Sequence, residues 1–233
     1  MLLAGETKRA ERLTALERGA GAHIDMKHLA RVLVEDFGCG LKFILARGDG
    51  AEIHWALEQR IKGRRMDLSS CELDQLPDLS AFDLREVDAS NNHLTAFPPE
   101  LGALPSLTTV NLSANYMRSL PRNMAQLKSL RQLDLSCNRF QAFPAGVLTL
   151  AGLEELDLSS DTWGETRITK IPPQIVALTR LKVLKINNGH AAVKVPSEMA
   201  SMTWLKRFEV TWEGASSTPP AALTALLPRC KIS

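Results

Sequence analysis

Aromatic residues are scarce in this chain of 233 residues, at 5% of the total, and Tyr116 is the single tyrosine. A surface that stacks bases needs more, and no block of basic residues makes up the lack, so nucleic acid is not an expected partner. Charge is nearly balanced, with 28 basic against 26 acidic side chains. Cysteine is scarce too: Cys39, Cys71, Cys137 and Cys230 are scattered, with no C-x-x-C pair for zinc or thiol exchange. No apolar run reaches the roughly 18 residues of a membrane span, and the apolar start Met1-Leu2-Leu3-Ala4 is too short for a secretory core. No membrane attachment is expected. Also missing is the Gly-x-x-x-x-Gly-Lys-Ser/Thr loop of nucleotide hydrolysis. His23 and His28 lack a matching second ligand pair, and Cys39 with His28 or His54 is a weak nucleophile–base constellation. No catalytic residue, metal site or cofactor is therefore expected.

What the chain does have is leucine in register. Leu84, Val87, Ala89, Asn92, Leu94, Phe97 and Pro98 are answered by Leu107, Val110, Leu112, Asn115, Met117, Leu120 and Pro121. Leu130, Leu133, Leu135, Asn138, Phe140, Phe143 and Pro144 answer again, each member moving by 23 residues. The alternating apolar positions have the period of a strand with one buried face. A second spacing follows each proline, as in Leu101, Leu104, Leu107 and Met124, Leu127, Leu130, and steps of three suit short helices or 3₁₀ turns. No such unit encloses a core alone, so each must borrow its neighbour's flank.

The template L-x-x-L-x-L-x-x-N-x-L, followed by an apolar-Pro pair, resembles the leucine-rich repeat in its intracellular form. The resemblance implies an α/β fold: a right-handed solenoid with a concave parallel β-sheet and short outer helices. It also implies that Asn92, Asn115 and Asn138 bond neighbouring backbone where the chain leaves the sheet. Extracellular members usually carry cysteine-rich end caps; by resemblance, the lack of them favours a reducing, cytoplasmic setting. The implied role is non-catalytic binding of another protein, by a monomer.

Residues 1–56 do not fit the repeat and read as a small helical N-terminal region, partly flexible. Within it, Leu41 to Ala46 is strand or helix. Residues 57–62 read as a helical cap on the first repeat, about seven units follow, and 211–233 form a C-terminal cap. Cys71 and Asp161 stand where Asn is expected. Pro144 to Pro172 is a spacing of 28, so five extra residues fall between Asp161 and Arg167.

Side chains alternating with the buried leucines face the hollow side of the sheet. The central row there reads Asp67, Asp88, Asn111, Asp134, Asp157, Lys185, Glu209. An acidic middle flanked by Arg65 and by Lys185 and Arg207 suggests a docking lane for a basic partner segment. Against this, Asp-Leu-Ser is also what the repeat class prefers at these places. Seven strands about 4.8 Å apart give a lane on the order of 300 Å², below the roughly 800 Å² per side of a stable interface. A rim must contribute. The loops Asp161–Arg167 and Asn188–Lys194 supply Trp163, Arg167 and His190, and His93, Tyr116 and Arg139 continue the same side. The expected contacts are thus Trp163, Arg167, His190, Tyr116 and Arg139 on the rim, with Asp88, Asn111, Asp134, Asp157 and Lys185 in the lane. A competing reading is a bacterial secreted effector, or the recognition half of a ubiquitin-ligase type effector, with delivery or catalysis in the N-terminal region.

Overall fold

The computed structural model describes residues 40–160, 166–188, 192–211 and 220–233. The chain divides into two units, Met1–Ala56 and Leu57–Ser233. In the first unit, α1 spans Gly40–Arg47, so the run from Leu41 to Ala46 is helical. Leu41 and Ile44, three apart and hence on one helix face, are both buried. Asp49 starts α2 (Gly50–Glu58) by accepting the N–H groups of Ala51 and Glu52 at 2.9 Å. Glu52 reaches back to the Asp49 N–H, completing a capping box.

The second unit is one nine-stranded sheet whose strands lie in chain order. They are β1 (Ile61–Lys62), β2 (Arg65–Asp67), β3 (Glu86–Asp88), β4 (Thr109–Asn111) and β5 (Gln132–Asp134). Then come β6 (Glu155–Asp157), β7 (Val183–Ile186), β8 (Arg207–Val210) and β9 (Lys231–Ile232). From β2 onward every pairing is parallel. The start of this unit differs from the expected helical cap over 57–62. Only Leu57 and Glu58 are helical, and β1 pairs antiparallel with β2 through Ile61↔Met66 and Lys62↔Arg65. Gly63, at φ +65, permits the tight reversal, and a strand satisfies the open edge of β2 that a helix would only cover. At the other end α3 (Ala221–Leu226) leads into β9, which extends the sheet.

Register places Val87, Val110, Leu133, Leu156 and Leu184 side by side, all within 2% of full burial. Leu112 and Leu135 are fully buried one coil apart. Burial of each such leucine is worth roughly 1.5–3 kcal/mol. Behind the sheet, 3₁₀ turns at Pro99–Ala103, Ala145–Thr149, Pro173–Ala177 and Ser197–Ser201 bury Leu101, Val147, Ile175 and Met199. Parallel strands, 3₁₀ connections and a shared leucine core make this unit an α/β repeat solenoid.

The asparagines bond as a ladder. Asn115 accepts the Leu94 N–H at 3.0 Å and donates to the Ala89 and Leu112 carbonyls at 3.0 and 3.1 Å. Asn92 and Asn138 repeat the pattern one coil to either side. The residue before each asparagine takes a left-handed conformation: Asn91, Ala114 and Cys137 have φ 54, 52 and 53. An L side chain is strained there by about 1–2 kcal/mol, asparagine least among them. Ala114→Asn, which copies Asn91, should therefore raise unfolding stability by about 0.5–1 kcal/mol, as read by urea denaturation. A loss of stability would contradict this account of the turn.

Candidate functional site

The lane is built by strand register. One row pairs Arg65, Glu86, Thr109, Gln132, Glu155, Val183 and Arg207 across adjacent strands. The next pairs Asp67, Asp88, Asn111, Asp134, Asp157, Lys185 and Glu209. A shallow depression crosses β2 to β7, lined by five acids (Glu86, Asp88, Asp134, Glu155, Asp157) and two bases, Arg65 and Lys185. Five against two leaves three surplus negative charges in the lane.

Its ends neutralise themselves. Arg65 sits 3.1 Å from Asp88 and 4.0 Å from Glu86, and Lys185 lies 3.0 Å from Asp157. Arg207 pairs with Glu209. Among the described residues, Asp134 and Glu155 in the middle make no ion pair. Burial pushes the Asp134 carboxyl above the usual carboxylate range, and Asp157 adds to that push against opposing bonds from Ser136. The sign follows from a raised folded-state pKa. Asp134 contributes stability at acid pH that is lost as pH rises through that pKa, so its charge is held at a cost near neutrality. A docked cation would reduce that cost.

What the fold asks of this row has a local answer. Asp88, Asp134 and Asp157 each accept, through Oδ1, the N–H of the serine two residues on, at 2.9–3.1 Å. Asn111 makes the same bond to Ser113 at 3.0 Å. Turning the chain out of the strand therefore needs one oxygen and no charge. The carboxylates are surplus to the fold.

On the side where strands end, His93, Tyr116 and Arg139 form a stack one coil per member. The His93 and Tyr116 rings are 5.7 Å apart and 19° from parallel, and the Arg139 guanidinium lies 4.3 Å from the Tyr116 centroid. Tyr116 is 39% exposed, the one large hydrophobic side chain so exposed among the described residues. Arg167 is exposed, and its N–H bonds the Phe140 carbonyl just as that of Arg139 bonds Met117. The structure thus brings Tyr116, Arg139 and Arg167 onto one rim beside the lane. Trp163, His190 and Asp161 lie outside the described residues.

Two structural residues escaped the repeat template. Asn188 is buried and donates to the Ile168 carbonyl, while Thr166 donates to the Asn138 carbonyl at 2.7 Å. Both bond across coils next to the place of the five-residue insertion, where the 23-residue spacing no longer predicts who bonds whom. The doublet Asn187-Asn188 was the available signal.

Residues 82–140 match the family model for the leucine rich repeat. No curated protein was found to match the chain. A solved leucine-rich repeat protein of Leptospira interrogans is similar at 23% identity over 68% of this chain and 51% of that one, with a TM-score of 0.48. The chain spans about half the length of that protein. No helix among the described residues is long and apolar enough to cross a membrane.

Proposed function

We propose, for a chain that belongs to the leucine-rich repeat family, that it is a protein-binding scaffold whose lane docks a basic segment of another protein. Extended inner faces are what solenoids offer to partners. The observation that carries the reading is Asn111, which does the backbone work of the row without a charge while its neighbours keep theirs. Arginine or lysine of the partner would seat against Asp134 and Glu155, which make no ion pair among the described residues, Lys185 being paired with Asp157 and acting on Asp134 only from a distance. Bases at the two ends, paired as they are, set the length of the acidic stretch. The rim of Tyr116, Arg139 and Arg167 adds the area that the lane lacks, with the stacked tyrosine as an anchor of the kind favoured at binding hot spots. Trp163 and His190, outside the described residues, are proposed as further contacts with the partner. The role is binding without catalysis, in a reducing compartment; Cys71, Cys137 and Cys230 form no disulfide among the described residues.

A photo-crosslinking residue placed at exposed Gln132, in the lane, tests this against one at exposed Gln126, behind the sheet. Capture of a partner through a Lys/Arg-rich peptide from position 132 only is the expected result. Capture from position 126 alone, or through an acidic peptide, would count against the proposal.

A further inference from the structure

The edge where the strands begin has the opposite charge. Backbone bonds stack the residue just before each strand into a column, from Arg85 N–H on Arg64 to Lys206 N–H on Lys182. That column carries Arg64, Arg85, Arg131, Lys182 and Lys206 against one acid, Glu154. Most of its charge is spoken for. Arg64 pairs with Asp83, Lys182 pairs with Glu154, and Arg131 is turned onto the carbonyls of Lys128 and Leu130. Lys206 and its neighbour Arg180 are exposed and make no ion pair among the described residues.

Between them lies a depression lined by Glu154, Thr179, Arg180, Lys182, Trp204 and Lys206. Trp204 is half-buried, its ring fixed by an Nε1–H bond to the Leu178 carbonyl at 3.0 Å. An indole held in place beside three cations and a single, already paired acid offers an apolar contact with surplus positive charge around it. Tryptophan and arginine are also the residue types that anchor interfaces.

We propose that this edge, centred on Trp204, is a second docking site that takes an acidic segment of a partner protein carrying an apolar or aromatic side chain. A membrane surface fits less well: the ring sits in a depression rather than projecting, and the exposed Tyr116 stands on the opposite edge. Nucleic acid fits less well because Glu154 interrupts the column. The lane, with its surplus of acids, repels the same segment, so the two sites take partners of opposite charge and do not compete. The chain could then bridge them.

The test uses the full ¹⁵N-labelled chain and a synthetic peptide of Asp and Glu around one Phe. The Trp204 indole N–H and the Arg180, Lys182 and Lys206 amides are expected to shift, with those of Asp134 and Asp157 unmoved. Arg180→Glu combined with Lys206→Glu, at exposed positions that leave the melting temperature in place, should weaken binding by about tenfold or more, as should high salt. No shift at millimolar peptide, shifts centred elsewhere, or an unaffected double variant would overturn the proposal. Tighter retention on phosphatidylserine vesicles or on a single-stranded oligonucleotide than on the peptide would also overturn it. Crosslinking from Gln132 is independent of all these outcomes, so either site can fail alone.

Discussion

Asn115→Ala is expected to destabilise the solenoid by about 3–5 kcal/mol. The side chain is 2% exposed, so water does not replace what it provides. Its Oδ1 takes the Leu94 N–H, which the substitution leaves buried and unbonded, at a cost of about 1–3 kcal/mol. Its Nδ2 bonds to Ala89 and Leu112 are shared ones. Asn92 also donates to Ala89 and Asn138 to Leu112, so those carbonyls keep one partner each and the loss is nearer about 1 kcal/mol apiece. Because coils stabilise one another mainly as neighbours, the damage should be local at first. Urea unfolding followed by circular dichroism gives the magnitude, and hydrogen exchange at Leu94 and Met117 gives the place. A change below about 1 kcal/mol would mean that the ladder is not a principal support of the array.

Gly146→Ala should cost roughly 2–3 kcal/mol, for a reason specific to one coil. A Cβ there would lie 2.0 Å from the Pro121 carbonyl oxygen and 3.2 Å from Leu120 Cβ, so the backbone of two successive coils must part. Gly152→Ala is the control. Its Cβ would meet chiefly the end of the Arg131 side chain, at 2.2 Å, which can swing away to solvent by giving up its bonds to the Lys128 and Leu130 carbonyls, and the expected cost is about 1 kcal/mol. Thermal unfolding of the two variants should separate them by several degrees, since about 1 kcal/mol moves the midpoint of a chain this size by about 2–4 °C. Equal midpoints would show that the coils give way at Pro121 without penalty.

The second of these effects could not be read from the sequence. The place of Gly146 in its coil is taken by Glu100 and Gln174 in others, so the repeat itself permits a side chain there. Only the approach of the Pro121 carbonyl forbids it. The ladder was legible, because a polar residue recurring among leucines must satisfy its amide locally. The strand rows were legible for the same reason: a period of 23 fixes which side chains become neighbours, and the register pairs Glu86 with Thr109 and Asp134 with Asp157 as spacing alone implies. Legibility failed where the period failed. The short first unit hid a hairpin in 57–67, and the insertion after Asp157 hid the parts played by Thr166 and Asn188. Trp204 was invisible for another reason. It follows Thr203 in a coil of ordinary length, and only the fold sets it beside Arg180, two coils' worth of cations and the lone Glu154.

The Asp-to-Asn reading of the lane brings stability and binding apart in one molecule. Asp88→Asn, Asp134→Asn and Asp157→Asn together keep every Oδ1 that accepts a serine N–H. They remove two ion pairs whose cations reach solvent, worth about 1 kcal/mol each, and relieve the desolvated charge of Asp134. Crosslinking yield from Gln132 in this triple variant, beside its unfolding midpoint, is the most direct measurement. A midpoint within a few degrees of the parent and a lost partner is the result that surplus carboxylates predict; a partner captured at full yield would contradict it.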